Sequence, residues 1–487
     1  MTIRPFLSSS ILCLLLATTS LAQAPDRSER PATGPFPTLE LPPIQTRTFT
    51  NGLEVMHMAK HDLPLVQLNV ILEVGSVDDP ADLPGLASLT AAMIDEGAGD
   101  LDALELQDAF EFLGARFFVS SGHHHTILGL RAPASRFDEA VSLLGDVLLR
   151  PHFAGDELER LRIERLTSLI RRHDDPSEIA STLFDRILYG EEHPYGRAVL
   201  GDEAFLRNVG TEDVRDFYQR LYVPSRARVV MAGDIDESVM AAVERTLAVW
   251  EGPVEERRIL PPAGQVEGLK IFLVDRPGAA QSIIRIGRIG VPRDVEDYYA
   301  LNIMNTILGG SFTSRLNQNL REDKGYTYGA GSSFDFRPFP GPFSAGAAVF
   351  TDVTAEALQE FINELRGIGE PLPEEEIDRA RNFLAMRFPQ NFQSVSRIAG
   401  QLGELAMYDL PHDYLTRYTE RILATDEDDV EAAARRYVDP ENLTIIIVGD
   451  QQAIEAKIRA LEVAPVEVME ITDVLGALPV LTDAAGR

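Results

Sequence analysis

The sequence predicts an α+β protein built from two duplicated α+β sandwich domains joined by a linker. Gly52 and Gly268, each followed by leucine, are 216 residues apart, and so are Gly233 and Gly449, each followed by aspartate. Equal spacing at both ends of the repeat is typical of a duplicated domain, here of about 210 residues. In each copy, short alternating apolar runs mix with longer runs of helical periodicity, which favours helices packed on a sheet.

The first predicted domain spans residues 47–250. Apolar side chains alternate from Val66 to Val74, which predicts a half-buried strand, and a Pro/Asp/Gly-rich turn then leads into a helix that ends near Met93. The further strands predicted in this domain cover residues 54–58, 115–120, 124–132 and 227–232. The further predicted helices cover residues 103–113, 136–149, 156–172, 177–189, 211–221 and 237–250.

The second predicted domain spans residues 267–465 and repeats the first. Residues 251–266 are charged and Pro-rich, so we expect them to form a linker that acts as a hinge. Residues 466–487 are expected to form a tail without regular structure. Within the second domain, a helix is expected to end before Gly309, and Ser311 or Thr313 is expected to cap the helix that follows.

The N-terminal residues predict export. Residues 1–24 combine Arg4, a short apolar run at residues 6–16 and the cleavage pattern Ala22-Gln-Ala24, as a secretory signal peptide does. We expect cleavage after Ala24 and a periplasmic location. Residues 25–46 are Pro-rich and polar, which predicts a disordered leader.

Composition excludes several classes of partner. The formal net charge is −31, whereas nucleic acids and anionic membranes attract basic surfaces, so neither is an expected partner. No stretch after the signal peptide is long and apolar enough to predict a membrane span. The only cysteine, Cys13, lies inside the signal peptide, so we expect neither a disulfide nor thiol chemistry in the mature chain.

The run at residues 309–329 holds the strongest candidate functional residues. Arg321 lies in the last turn of a predicted helix, and Tyr328 lies on the strand that follows it. A guanidinium and a phenol in these places could point into one pocket, both as hydrogen-bond donors. On spacing alone, an arginine that ends a helix and a packed tyrosine is the commoner meaning of such a pair, and both interpretations stay open at this point.

Together these features resemble a known family. The duplicated domain, the turn Leu83-Pro-Gly-Leu-Ala87 and the run at residues 309–329 are similar to the pitrilysin/insulinase-type zinc peptidases, which include the mitochondrial processing peptidase. That run contains Gly-Gly-x-x-x-Ser-Arg-Leu followed by Leu-Arg-Glu-x-x-Gly-x-x-Tyr. The resemblance covers residues 47–465 and implies two peptidase-like domains.

The zinc motif of that family is missing from this sequence. Active members carry His-x-x-Glu-His after the Gly-Leu-Ala turn, where both histidines bind zinc and the glutamate acts as general base. Here Ser88 and Ala92 stand at the histidine positions and Ala91 at the glutamate position. The third ligand, a glutamate, falls at about residues 167–169, which are not acidic. We therefore expect this chain to bind no zinc and to hydrolyse no peptide alone.

Three consecutive histidines, His123, His124 and His125, are an alternative set of metal ligands. On a strand, His123 and His125 would face one way and His124 the other, and nothing near them in the sequence supplies a third ligand. We therefore expect an exposed or half-packed strand here rather than a metal site.

The resemblance implies a division of labour between two chains. In heterodimers of this family, one chain holds zinc and the other supplies an arginine and a tyrosine that bind the substrate carbonyl. Arg321 and Tyr328 match those positions. The leading hypothesis is a zinc-less periplasmic subunit that acts on unfolded peptides with a homologous partner carrying His-x-x-Glu-His. The alternatives are a non-enzymatic peptide-binding or assembly scaffold, and an independent enzyme that uses His123 to His125.

Overall fold

The computed structural model describes residues 39–254 and 258–481 of the chain. The predicted signal peptide at residues 1–24, most of the predicted leader and the last six residues of the predicted tail lie outside the described residues. No helix within the described ranges is both long enough and apolar enough to cross a bilayer.

The first half of the chain forms one sheet with helices around it. Its strands are β1 (Gln45–Thr48), β2 (Glu54–Ala59), β3 (Leu65–Leu72), β4 (Arg116–Ser121), β5 (Thr126–Pro133) and β6 (Ala227–Gly233). Its α-helices are α1 (Leu86–Met93), α2 (Ala103–Phe112), α3 (Phe137–Leu149), α4 (Gly155–Arg172), α5 (Pro176–Tyr189), α6 (Glu203–Asn208), α7 (Thr211–Leu221) and α8 (Glu237–Leu247). The strand order in the sheet is β1-β2-β6-β3-β5-β4.

The second half has the same organisation. Its strands are β7 (Lys270–Asp275), β8 (Gln281–Ile289), β9 (Thr327–Phe334), β10 (Pro342–Phe350), β11 (Thr444–Gly449) and β12 (Val466–Met469). Its α-helices are α9 (Tyr298–Leu308), α10 (Arg315–Asn317), α11 (Thr354–Gly367), α12 (Glu374–Arg387), α13 (Val395–Met407), α14 (Tyr414–Ala424), α15 (Glu427–Tyr437), α16 (Gln451–Ala460) and α17 (Ile471–Leu475). The strand order is β12-β7-β11-β8-β10-β9.

The two sheets confirm the predicted duplication and the α+β fold. In the first sheet, β2 pairs with β6 in parallel, and β6, β3, β5 and β4 follow in antiparallel pairs. In the second sheet, β7 pairs with β11 in parallel, and β11, β8, β10 and β9 follow in antiparallel pairs. The two glycines of the second matched pair, Gly233 and Gly449, end the equivalent strands β6 and β11.

The sixth strand of each sheet corrects the predicted leader and tail. Residues 39–46 belong to the predicted disordered leader, yet Leu39, Leu41 and Ile44 pack against the core, and β1 begins at Gln45 and pairs with β2. Likewise, the predicted tail contains β12, which pairs with β7, and α17. Both strands have only four residues, so neither carries enough apolar alternation to be recognised in the sequence.

Strand β3 is buried on both faces, although its alternating sequence predicts only one buried face. Gln67 and Asn69 lie on the predicted open face, and both are buried. The Gln67 amide donates to Asn69 Oδ1 at 2.7 Å and accepts from the hydroxyl of Ser396 at 2.9 Å. Ser396 belongs to α13 of the second half, so the cover on this face comes from the other end of the chain.

Each half therefore covers the sheet of the other half with one helix. Helix α13 packs on β3 and β6, where Gly403 faces the side chain of Ile71. Helix α5 packs on β8 and β11 in the same way. There, Phe184 lies so close to Gly287 that a Cβ at residue 287 would collide with the phenyl ring.

This exchange of helices argues against the hinge predicted at residues 251–266. Opening the halves at the linker would strip α5 from the second sheet and expose its apolar contacts with Phe272 and Val448. The described linker residues are also tied down, because Leu260 is buried and Arg258 donates to the carbonyl oxygens of Val77 and Asp79, both at 2.9 Å. Residues 255–257 lie outside the described residues.

The exchange predicts that the two halves unfold together. We expect Phe184→Ala to lower the free energy of unfolding by about 3–5 kcal/mol because the phenyl group is fully buried between α5 and the second sheet. The matched control is Phe112→Ala, at a phenylalanine that is 84% exposed, with an expected change within about 0.5 kcal/mol. Urea denaturation checks both, and separate transitions for the two halves would contradict the exchange.

Candidate functional site

Arg321 lies on a widened helical turn that follows a short helix. Helix α9 ends at Leu308, as predicted, and α10 begins at Arg315. Neither predicted cap residue directly precedes α10: Ser314 does, while the Ser311 hydroxyl donates to the carbonyl of Thr306 at 3.2 Å. Helix α10 continues as a π-helix over Gln318–Asp323. This geometry is rare in proteins, and where it occurs it is often found at a functional site.

Tyr328 lies on β9, an edge strand of the second sheet, and it is 84% exposed. Thr327 pairs with Val349 and Ala330 pairs with Ala347, so β9 has one residue more than β10 between these pairs. Such a β-bulge changes the direction in which a side chain points. The Thr327 hydroxyl donates to Ala348 O at 2.6 Å and thereby fixes the bulge.

Buried polar contacts hold the Arg321 turn against the Tyr328 strand. The Asn317 amide donates to the carbonyl of Phe312 at 2.6 Å, and its oxygen accepts from the N–H of Ala330 at 3.4 Å. Asn317 is itself buried. The N–H of Tyr326 donates to the carbonyl of Leu320 at 2.8 Å. The sequence did not single out Asn317, because an asparagine in a short helix has no distinctive periodicity.

Gly309 and Ser332 complete this platform. A Cβ on Gly309 would collide with the backbone of Ser332 on β9, so only glycine lets the turn approach the strand so closely. The Ser332 hydroxyl donates to the side-chain oxygen of Asn305 on α9 at 2.7 Å. The helix end, the turn and the edge strand therefore form one fixed unit.

The two candidate side chains leave their donors available. Arg321 Nε lies 3.4 Å from Glu322 Oε1, and its guanidinium stacks on the ring of Phe312. Within residues 39–254 and 258–481, no hydrogen bond from the Arg321 guanidinium or the Tyr328 hydroxyl is found. Both groups therefore keep donors that an external hydrogen-bond acceptor could use.

In the first half, an arginine fills the place of the zinc motif. Ser88, Ala91 and Ala92 lie on α1, and the first two are buried. Arg165, on α4, donates to the hydroxyl of Ser88 at 2.9 Å and to its carbonyl at 2.7 Å. Burial lowers the pKa of the Arg165 guanidinium to about 10, so it is still a cation at neutral pH.

Asp79 lies at the N-terminus of α1, near this arginine. Its two carboxylate oxygens accept from the N–H groups of Gly85 and Ala87, both at 2.7 Å. Burial raises the pKa of Asp79 to about 7, although these two bonds act in the opposite direction. The carboxyl is thus held at the N-terminus of α1, where negative charge is favoured.

The side chains in this place do not fit a zinc ion. Serine and alanine replace both histidines and the general base, and a buried cation contacts the position of the first ligand. No group of three or more His, Cys, Asp or Glu residues among the described residues could hold a metal. The sequence carried a signal for Arg165 that was missed: it stands between Leu161 and Leu169 at helical spacing, on the apolar face of α4.

The three histidines lie in a turn, which corrects the strand predicted at residues 124–132. Strand β5 begins at Thr126, after all three. His123 Nδ1 is 2.9 Å from the hydroxyl of Ser76, and His124 Nε2 bonds the hydroxyl of Tyr195. Burial lowers the pKa of His123 and His124 to about 3. Both are therefore packed, neutral side chains with different partners.

The fold and the site define a class of protein: a duplicated metallopeptidase-type chain whose first domain lacks metal ligands. Comparison with known families agrees. A family model described as insulinase (peptidase family M16) matches residues 55–192, and one described as peptidase M16 inactive domain matches residues 208–384. This chain belongs to the insulinase-type peptidase family, which confirms the resemblance found in its sequence.

Individual relatives extend over most of the chain. An uncharacterized zinc protease of Mycobacterium tuberculosis is 25% identical over 434 residues, which are 87% of this chain and 98% of the relative. A crystal structure described as a peptidase M16 inactive domain from Pseudomonas fluorescens is 26% identical, with a TM-score of 0.78, and covers 84% of this chain and 98% of its own. A protease from Helicobacter pylori shares the fold, with 21% identity, a TM-score of 0.75 and coverage of 84% and 100%.

The raised pKa of Asp79 predicts a pH dependence of stability. Between about pH 4 and 7, the unfolded chain loses the Asp79 proton while the folded chain keeps it, so the contribution of this residue to stability falls as pH rises. We therefore expect Asp79→Asn to gain stability relative to the wild type by up to about 1.4 kcal/mol per pH unit across this range.

Urea denaturation at several pH values checks this expectation. Asp82→Asn, which makes the same chemical change at an exposed residue three positions along the chain, is the matched control. A difference between Asp79→Asn and the wild type that stays constant from pH 4 to 7 would contradict the raised pKa.

Proposed function

We propose that this chain is the exported, zinc-less subunit of a heterodimeric metallopeptidase. The observation that carries the proposal is the contrast between the two halves. In the second half, Arg321 and Tyr328 stand on a fixed platform with their donors available. In the first half, Arg165 and Ser88 fill the place where the family's metal motif would be.

Arg321 and Tyr328 bind the carbonyl oxygen of the scissile peptide in this proposal. Negative charge grows on that oxygen as a tetrahedral intermediate forms, and two preorganised donors stabilise it more than they stabilise the ground state. A guanidinium donor adds charge assistance. The zinc and the general base are supplied by a homologous partner that carries His-x-x-Glu-His.

The substrates in this proposal are unfolded peptides in a periplasmic compartment. Two shells of this fold, one from each chain, enclose a chamber that an extended peptide enters more readily than a folded protein. The predicted signal peptide at residues 1–24 supports export. The first test is whether a neighbouring reading frame encodes a similar-length exported chain with His-x-x-Glu-His.

Replacing either donor is expected to reduce catalysis by the complex. We expect Arg321→Ala and Tyr328→Phe each to lower kcat by about 100-fold, because each removes one donor to the developing oxyanion. Assembly of the heterodimer should not change. Cleavage of a quenched fluorescent, unstructured peptide measures activity, and size-exclusion chromatography measures assembly. Arg366→Ala is the matched control, at an exposed arginine paired with Glu441 in the same half.

Unchanged activity in both donor variants would contradict the role proposed for Arg321 and Tyr328. It would favour the non-enzymatic scaffold, because a scaffold needs neither donor. The comparison is valid only for variants that assemble, which the chromatography establishes in the same samples.

Metal analysis gives a second, independent prediction. We expect one zinc per purified heterodimer and none in this chain purified alone, because Ser88, Ala91 and Ala92 offer no ligand set. Peptide cleavage should require the mixture of both chains. Stoichiometric zinc in this chain alone would contradict the proposal and would direct attention to His123, His124 and His125.

A further inference from the structure

Phe312 is a large apolar residue on a rigid turn, and it is 62% exposed. The turn between α9 and α10 fixes its backbone: its carbonyl accepts from the buried Asn317 amide at 2.6 Å, and the N–H of Ser314 donates to Ser311 O at 3.2 Å. The apolar cores of the two halves do not include this ring. The ring is therefore free to make contacts other than core packing.

The ring of Phe312 contacts one group with chemical significance. The guanidinium carbon of Arg321 lies 4.5 Å from the centre of the ring, within the range of a cation–π interaction. Stacking on a ring face leaves the edge N–H groups of a guanidinium available for hydrogen bonds in its own plane. The contact therefore holds Arg321 without occupying its donors.

Glu322 competes with the ring for the same arginine. Its Oε1 is 3.4 Å from Arg321 Nε, and both side chains are partly exposed. The other charged groups of this turn are engaged elsewhere, because Asp323 accepts from Gln318 at 3.1 Å and Lys324 pairs with Glu360 at 3.2 Å. Without the ring, Arg321 is free to turn fully onto Glu322 and to direct its donors at that carboxylate.

We infer that Phe312 is a positioning residue that holds the Arg321 guanidinium by stacking, limits its contact with Glu322 to the long one at Nε, and leaves its other donors for the substrate carbonyl. This inference rests on the proposed role of Arg321. Phe312 itself contacts no reacting atom and acts only through the arginine.

Substitutions at Phe312 in the assembled heterodimer test the stacking. Phe312→Leu keeps an apolar side chain but has no aromatic face, so we expect kcat to fall about two- to five-fold with little change in KM. Phe312→Trp keeps an aromatic face and should retain wild-type kcat within about two-fold. A leucine variant as active as the wild type, or a tryptophan variant as impaired as leucine, would overturn the inference.

A double-mutant cycle separates this role from a general structural role. In the Arg321→Ala background, Phe312→Leu should cause no further loss of kcat, because its effect passes through the arginine. In the Phe312→Leu background, Glu322→Gln should recover at least half of the lost activity, because it removes the competing carboxylate. A full additional loss in the first background, or no recovery in the second, would contradict the inference.

The same experiment distinguishes the inference from the proposed function. If Arg321→Ala reduces kcat and Phe312→Leu does not, the positioning role is wrong and the proposed function stands. If Arg321→Ala has no effect in an assembled complex, the proposed function fails, and the positioning role fails with it. Size-exclusion chromatography and thermal unfolding of each variant establish that assembly and folding are unchanged.

Discussion

Each half of the chain covers its sheet with a helix that belongs to the other half, and the rest of the structure depends on this exchange. Helix α5 buries one face of the second sheet, and α13 buries one face of the first. Neither half can therefore complete its core alone. The surface that carries Arg321 and Tyr328 is consequently held rigidly relative to the first half.

Arg165 shows how a chain of this family keeps its fold without metal ligands. A structural zinc ion joins the elements that supply its ligands. Here the guanidinium of Arg165 ties α4 to α1 through two hydrogen bonds to Ser88, and Asp79 satisfies the first N–H groups of α1. These hydrogen bonds connect α4 to α1 without a metal ion.

The sequence predicted the duplicated α+β fold because the repeat spacing and the long periodic segments are properties of the whole domain. It missed features that depend on a few local hydrogen bonds: the π-helix that carries Arg321, the bulge at Tyr328 and the turn at His123. It missed the full burial of β3 because the covering helix is more than 300 residues away along the chain, as the bond between Gln67 and Ser396 shows. The lost zinc motif was visible because it is a matter of residue identity alone.

Strands β1 and β12 are short edge strands that pair with β2 and β7, and β4 and β9 form the opposite edges of the two sheets. Exposed strand edges readily pair with other chains. A shortened protein that starts after residue 48 or stops at residue 465 would uncover an edge that the full chain keeps paired, and it would be prone to aggregation. A protein produced for experiments should therefore include both β1 and β12, although their sequences resemble a leader and a tail that could be removed.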